Sequence, residues 1–125
     1  MSTLHLVLIG KWYDMIASGE KTEEYRAITP YWCNRLIGGF GLSWWKQKFK
    51  EMESLKEKHP KTWLHSIIDC SEFGTTKFYD TVCFHRGYTN TTMSFEYEYL
   101  DIDKGKEELG SPKEPVFIIK LGKRL

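Results

Sequence analysis

The sequence predicts an α+β protein in which a mixed, curved sheet closes toward a barrel and helices lie at one side. Two observations carry this prediction. Apolar and alternating segments typical of strands lie at both ends of the chain, and segments with helical periodicity lie between them. The 125 residues suffice for one domain with one core and are few for two. We therefore predict a single domain over residues 1–125, with a helical insertion at about 38–78.

The composition sets limits on the function. The net charge of +1 creates no global field that attracts nucleic acid, so such binding must depend on a local patch. The three cysteines form no Cys-x-x-Cys pair, which argues against a zinc site or a disulfide framework and favours a cytoplasmic protein. The amino-terminal segment has no basic region before its short apolar run, so we expect no signal peptide, no anchor and no membrane partner. Aromatic residues make up 15% of the chain, which fits a core of bulky side chains or a stacking surface.

The first third of the chain reads as strand, helix and strand. Residues 4–9 predict a central strand, and residues 11–18 predict a short amphipathic helix that Gly19 ends. Free backbone N–H groups at the start of that helix, near Lys11, are suited to an anion. Residues 22–26 then predict a second, unusually charged strand.

The remaining elements are predicted from caps and periodicity. Thr29 and Pro30 predict the start of a second helix. Ser43 predicts the cap of a third helix that runs to about residue 58 and ends at His59-Pro60. Residues 63–69 favour a short strand or a turn-rich connection, and residues 74–76 favour a loop. Three further strands are predicted at residues 80–85, 93–101 and 116–121, the last of them central.

The charged strand is the feature that points to a function. The two-residue period places Thr22, Glu24 and Arg26 on one face, with Lys21 at the mouth of the strand. Burial of such charges is costly unless they are hydrogen-bonded, so the pair of Glu24 and Arg26 should face water or line a polar cleft. Within that pair, Glu24 either acts as a general base or fixes the guanidinium of Arg26.

The spacing Gly19-x-Lys21-x-x-Glu24-x-Arg26 resembles the G-x-K-x-x-E-x-R signature of ASCH domains, which have a PUA-like fold. Residues 82–89, 93–95 and 116–122 resemble the barrel strands of small bacterial and phage members. The resemblance implies a small β-barrel with flanking helices and a cleft that recognises RNA or a nucleotide. In the members that hydrolyse acylated cytidine, a lysine and a threonine three residues later carry the chemistry. Lys21 matches the lysine, and Glu24 stands where those members have the threonine.

We therefore predict a site with two candidate catalytic residues, Lys21 and Glu24. The residues predicted to contact the RNA, nucleotide or modified nucleoside are Arg26, Tyr25, Trp12, Tyr13, Lys11, Arg86 and Tyr88. Arginine suits phosphate because its planar fork donates two hydrogen bonds, and the aromatic rings are suited to stacking on a base.

Other functions remain open at this point. One alternative is a hydrolase that acts on acylated cytidine or RNA through Lys21 and Glu24. A second is a protein-interaction module that docks through the exposed face of residues 43–59. The four histidines lack the spacing of metal ligands along the chain, so we predict no metal site and no cofactor.

Overall fold

The computed structural model describes residues 2–38, 40–73 and 79–125. The chain forms two compact units. We call Met1–Ala27 together with Phe78–Leu125 the β-unit, and Ile28–Lys77 the helical unit. The helical unit thus begins about ten residues before the insertion that the sequence predicts.

The β-unit contains five strands and one α-helix in its described residues. In chain order these are β1 (Thr3–Leu8), α1 (Gly10–Ser18), β2 (Glu23–Arg26), β3 (Thr81–Arg86), β4 (Thr92–Asp103) and β5 (Val116–Arg124). A 3-10 turn at Glu107–Leu109 interrupts the polar connection between β4 and β5. The predicted strands and the first helix are all present, with ends shifted by a few residues.

The five strands form one mixed sheet that curls into a half-barrel, in the order β1-β3-β4-β5-β2. The pair of β1 and β3 is parallel, and the other three pairs are antiparallel. Strand β5 is central, as predicted, because it pairs with both β4 and β2. The prediction of a central β1 is wrong: within the described residues β1 pairs with β3 alone and lies at one end of the sheet. Its alternating burial, with Leu4, Leu6 and Leu8 inside, is typical of a strand with one exposed face.

The core of the β-unit lies on the inner face of the sheet. Leu4, Leu6, Val82 and Phe84 are buried there, and helix α1 packs against β1 and β3. In α1 the buried residues are Tyr13 and Ile16, which stand three positions apart on one helical face. The predicted α+β class is therefore confirmed, with a mixed sheet that curls into a half-barrel.

The helical unit consists of four helices in its described residues. They are α2 (Pro30–Leu36), α3 (Leu42–Glu51), α4 (Glu53–Lys58) and α5 (Pro60–Phe73). Helix α2 begins as predicted, because the Thr29 hydroxyl accepts a hydrogen bond from the backbone N–H of Trp32 at 3.3 Å and Pro30 occupies the first turn.

Three predictions for the helical unit are wrong. The predicted helix over 43–58 is two helices that meet at Met52, whose side chain is buried. The amino-terminal cap is Gly41 and not Ser43. Residues 63–69, predicted as a strand or a connection, lie within α5, where Trp63 and Ile67 form a buried i, i+4 pair. Pro60 marks the start of that helix, a position at which its missing N–H costs nothing.

Within the described residues, no helix combines the length and apolarity needed to cross a bilayer. The loop predicted at residues 74–76 lies outside the described part of the chain.

Candidate functional site

The turn after α1 positions Lys21. Gly19 ends the helix with φ at 87°, a left-handed conformation that glycine adopts without steric cost. The chain then reverses, and the backbone N–H of Lys21 donates to the carbonyl of Met15 in the last part of α1 at 3.1 Å. This local geometry explains the spacing of glycine and lysine, because the reversal turns the lysine side chain under the helix that precedes it.

The Lys21 side chain is buried, with a relative exposure of 1%. Its Nζ atom donates to Glu24 Oε1 at 3.0 Å. The same ammonium lies 4.6 Å from the ring centroid of Trp12 and 5.1 Å from that of Tyr25. Lys21 thus stands two positions before β2, at the mouth of the strand, and its side chain is buried there. One carboxylate and two aromatic faces replace the water that an ammonium otherwise binds. We call these four residues, Trp12, Lys21, Glu24 and Tyr25, the Lys21 site.

The Glu24 carboxylate is also buried, and its two oxygens differ in the hydrogen bonds that they accept. Oε1 accepts from the Lys21 ammonium and, at 2.8 Å, from the backbone N–H of Tyr25. Oε2 has no hydrogen-bond donor, although Arg26 Nη1 lies 3.5 Å away. The predicted pair of Glu24 and Arg26 is thus present as an ion pair. A buried carboxylate oxygen without a hydrogen bond is unusual, because the loss of its hydration is not recovered.

Arg26 connects the two ends of the sheet. Its guanidinium donates to the carbonyl of Tyr25 at 2.7 Å and to the carbonyl of Val7, on β1, at 3.4 Å. Strands β1 and β2 are the first and last strands of the sheet order, so this side chain spans the gap that the half-barrel leaves. The prediction that Arg26 binds phosphate therefore has a structural alternative, since much of the donor fork is used within the protein.

Residues 104–111, which we call the covering loop, lie against the two aromatic rings of the site. A Cβ atom on Gly110 would stand 2.9 Å from the indole of Trp12, and one on Gly105 would stand 2.6 Å from the ring of Tyr25. Leu109 packs on the cluster of Tyr25, Val116 and Ile118. The backbone of the loop therefore approaches both rings closely and takes part in excluding water from Lys21.

Tyr25 is bound to the covering loop by its phenol. The hydroxyl accepts a hydrogen bond from the backbone N–H of Lys106 at 3.2 Å. Burial is the main reason that the pKa of Tyr25 rises to about 12, and Glu23 and Glu24 raise it further, while the bond from Lys106 opposes the shift. The phenol is therefore neutral across the physiological range, and it donates its proton to the Glu23 carboxylate.

A second ion pair lies on the same strand as Glu24. Lys120 stands opposite Glu23 in the register of β2 and β5, and its Nζ atom donates to Glu23 Oε1 at 2.7 Å. Burial alone would raise the pKa of Glu23, but the hydrogen bonds from Lys120 and Tyr25 lower it overall. The Lys120 side chain is 29% exposed, against 1% for that of Lys21. The two pairs thus differ in burial and not in chemistry.

Arg86 forms an ion pair with Asp14 of helix α1. Its Nε and Nη2 atoms donate to the two carboxylate oxygens of Asp14 at 3.2 and 3.1 Å. This bidentate bond lowers the pKa of Asp14 and raises that of Arg86. Both side chains are substantially exposed, so a phosphate must compete with the carboxylate for the guanidinium.

The other predicted ligand-binding residues are dispersed. Tyr13 is buried in the core of the β-unit, and Tyr88 is fully exposed at the turn after β3. Lys11 is exposed and holds its ammonium 4.7 Å from the ring centroid of Trp12. The structure thus joins Lys11 to Trp12, Lys21, Glu24 and Tyr25, and it uses Tyr13 for packing.

The sequence did not identify two features that contact the predicted site residues, Asp14 and the covering loop. Asp14 lies on an ordinary exposed helical position, and nothing in the sequence indicates that it meets Arg86, which is 72 residues away. The covering loop reads only as a polar connection with two glycines. Gly110 is the residue that could have indicated this contact, because its φ of 98° favours glycine. The sequence does not show, however, that this glycine faces the ring of Trp12.

Comparisons of the chain with models of protein families, with curated proteins and with solved structures found no match. The ASCH-like signature therefore stays a prediction that depends on the residues themselves.

Proposed function

We propose that this protein is an ASCH-like recognition domain that binds a nucleotide or modified nucleoside at the Lys21 site. The observation that carries the proposal is the buried pair of Lys21 and Glu24, held between two aromatic rings, with one carboxylate oxygen lacking a donor. The second ligand that we propose is RNA, whose unpaired bases offer the same groups as a nucleoside.

A buried ion pair of this kind is hard to explain by stability alone. Removing two charges from water costs several kcal/mol per ion, and apolar residues of similar size often stabilise a core equally well. Strongly desolvated charges beside aromatic rings are characteristic of sites that recognise polar ligands. The pair of Glu23 on β2 and Lys120 on β5 shows that the sheet accommodates such a pair at a more exposed position.

The groups of the site match the parts of a nucleotide. The indole of Trp12 offers a face for stacking, the Lys21 ammonium donates to a carbonyl oxygen, and Glu24 Oε2 accepts from an exocyclic amine. The exposed ammonium of Lys11 beside Trp12 is suited to a phosphate. A cytosine-like edge, with a carbonyl and an amine, satisfies both buried charges at once.

The charge of the β-unit favours a small ligand over a long polyanion. This unit has ten Lys and Arg residues against twelve Asp and Glu residues. A long RNA is repelled by such a balance, because its affinity depends on neutralised phosphates. A nucleoside or mononucleotide brings little charge and depends on contacts within the site.

Entry of a ligand requires the covering loop to move, since Lys21 is 1% exposed with the loop in place. The loop is attached at Tyr25 through the Lys106 N–H and at Leu109 through apolar packing. Loops of this kind open on microsecond to millisecond timescales in many binding proteins. Binding should therefore be accompanied by a change in Trp12 fluorescence.

The test is a titration of the full chain at low salt with cytidine, acylated cytidine, nucleoside monophosphates and short RNA oligonucleotides. We expect one of the cytidine derivatives or nucleotides to bind, and Lys21→Met to weaken binding by about 10-fold or more, the loss of one charged hydrogen bond. Lys120→Met is the matched control, since Lys120 pairs with Glu23, which lies beside Glu24 on β2. Absence of binding by every ligand, or equal losses in the two variants, contradicts the proposal.

A hydrolase is the second candidate, and the 3.0 Å contact of Lys21 Nζ with Glu24 Oε1 favours it. A lysine with an adjacent carboxylate can pass a proton during attack of water on an amide, which releases the acid and the free amine. Turnover of acylated cytidine and of RNA by the wild type should then exceed that of Lys21→Ala and Glu24→Gln by at least about 100-fold. Equal rates in all three proteins would leave only the binding function.

A further inference from the structure

The outer face of the sheet brings together three side chains that the sequence keeps far apart. Strands β1 and β3 are parallel, and their register pairs His5 with Cys83. His85 follows two positions after Cys83 and therefore projects from the same face. Spacing along the chain, on which the prediction of no metal site was based, does not reveal a pairing across 78 residues.

The three potential ligand atoms form a compact triangle. His5 Nδ1 and His85 Nε2 are 3.0 Å apart, and Cys83 Sγ is 3.8 Å from His85 Nε2. All three atoms lie within 4.8 Å of one another. In a tetrahedral zinc site with usual bond lengths, two nitrogens are about 3.3 Å apart and a nitrogen and a sulfur about 3.6 Å apart. The separations from His85 Nε2 to His5 Nδ1 and to Cys83 Sγ are thus close to those of a bound ion, and the separation of His5 Nδ1 from Cys83 Sγ is at most 4.8 Å.

We propose that His5, Cys83 and His85 form a metal site that takes one Zn²⁺ ion, a role that goes beyond recognition of a nucleotide. Two imidazoles and one thiolate suit Zn²⁺ and copper, and they disfavour Mg²⁺ and Ca²⁺, which require oxygen ligands. The site shares no residue with the Lys21 site.

The proton balance of binding follows from the hydrogen bond between the two imidazoles. The proton between His5 Nδ1 and His85 Nε2 must leave that position, and the imidazole that carries it can hold it on its other ring nitrogen. The Cys83 thiol releases its proton to solvent as the metal–sulfur bond forms. Binding therefore weakens in acid, because protons compete with the ion for the ligand atoms.

The site leaves one position for solvent. His5 is exposed, and Cys83 and His85 are half-buried, so the triangle is open on its outer side. A fourth, tetrahedral position is then occupied by water, which is the arrangement of zinc sites that retain reactivity. Three ligands on two adjacent strands of a hydrogen-bonded sheet are held without a loop, so the ion should change the fold little.

Cobalt is the probe that tests the proposal, because Co²⁺ replaces Zn²⁺ and reports its own ligands. We expect one equivalent of Co²⁺ to bind the full chain, with the intense visible bands of a tetrahedral ion and a sulfur-to-cobalt charge-transfer band, and Zn²⁺ to displace it. Cys83→Ser should abolish the charge-transfer band. His5→Ala and His85→Ala should each weaken binding by more than about 100-fold, which exceeds the usual loss of about 10- to 100-fold for a residue behind a ligand.

His59→Ala is the control, since His59 is an exposed histidine of the helical unit. Retention of binding in this variant is expected, and its loss would identify adventitious binding. A measurement on the wild type alone avoids misfolded variants: Zn²⁺ should protect Cys83 from alkylation, as read by peptide mass spectrometry. Unprotected Cys83, binding below one equivalent, or an unchanged spectrum in Cys83→Ser overturns the proposal.

Discussion

At the scale of single residues, Lys21 shows how a charged side chain enters a core. Its ammonium loses water and gains one carboxylate oxygen and two aromatic faces. Each cation–π contact contributes about 0.5–2 kcal/mol, which offsets only part of the cost of desolvation. Glu24 depends on Lys21 in turn, because its other near cation, Arg26, lies at 3.5 Å without a hydrogen bond to Oε2.

This dependence predicts the effect of Lys21→Met on stability. The free energy of unfolding should fall by about 3–5 kcal/mol, because Glu24 is left as a buried charge without its lysine. The Lys21→Met, Glu24→Gln double variant should recover most of that loss, since no buried charge remains at the Lys21 site. Lys120→Met, which breaks the more exposed pair, should cost about 1 kcal/mol or less. Denaturant unfolding measures all three, and equal costs for the two lysines would contradict the account of Lys21.

Tyr25 and Tyr97 predict the behaviour of the protein in alkali. Burial raises the pKa of each phenol to about 12. A tyrosine whose pKa is raised in the folded state adds stability that is complete below its unfolded pKa of about 10 and is lost as the pH rises toward 12. Stability should therefore decline over this window.

Phenolate absorbance of the native protein tests this prediction. Two phenols should titrate near pH 12, and Tyr25→Phe and Tyr97→Phe should each remove one of them. Circular dichroism recorded in parallel identifies the range over which the chain is folded. A native-state titration without a component near pH 12 would contradict the burial of these rings.

At the scale of elements, the covering loop and the end of α1 depend on glycines for different reasons. Gly19 reverses the chain in open space, whereas Gly110 combines a φ of 98° with close approach to Trp12. The backbone of the loop replaces water over the indole because no side chain intervenes. The loop is therefore both a cover for the Lys21 site and part of its wall.

Gly110→Ala tests this wall, with Gly87→Ala as the matched control. Both glycines have positive φ, but a Cβ at Gly87 meets nothing within 4 Å. Gly87→Ala should cost about 1–2 kcal/mol from backbone strain alone. Gly110→Ala should cost more, because the methyl group would also displace Trp12, and it should change the tryptophan fluorescence. Equal costs and an unchanged fluorescence spectrum would show that the loop does not rest on Trp12.

The helical unit exposes a pair of stacked aromatic rings. Phe40 stacks on Trp44 with ring centroids 4.2 Å apart, and both rings are exposed. The docking role predicted for residues 43–59 stays a prediction. Its test is a pull-down that Trp44→Ala abolishes and Lys21→Met leaves intact.

At the scale of the whole molecule, hydrogen bonding is distributed unequally over the sheet. Strand β5 pairs on both sides, whereas β1 pairs with β3 and meets β2 through the Arg26 side chain. The net charge also differs between the two units. The helical unit has eight basic and five acidic residues, whereas the β-unit has more acidic than basic residues. Unfolding from an end of the sheet is the easier route, because fewer bonds are broken there.

Hydrogen exchange measures this difference. The amides of β5 between Val116 and Leu121 should exchange most slowly, near the rate of global unfolding, and those of β1 should exchange faster. Arg26→Met should accelerate exchange in β1 more than in β5, because it removes the contact with Val7. Uniform protection across the sheet, unaffected by this substitution, would contradict the role assigned to Arg26.

The sequence by itself determined the elements whose signals are local. Strand β5, helix α1 with its Gly19 end, and the Thr29 cap of α2 follow from apolar runs, periodicity and capping residues that lie within a few positions of one another. Helix α5 was missed because its buried residues favour strands. Ile67, Ile68 and Trp63 are β-branched or aromatic, and such residues are enriched in strands and are weaker helix formers than alanine or leucine.

Only the tertiary structure decided where the charges lie. The motif around Lys21 is readable in the sequence, but its burial depends on Trp12 and on a loop some 85 residues further along the chain. The pairing of Arg86 with Asp14 and of His5 with Cys83 depends on helix packing and on the parallel register of β1 and β3. Contacts of this kind are fixed by the closure of the whole sheet, which no local pattern encodes, and for that reason the sequence indicated the charged residues but not their partners.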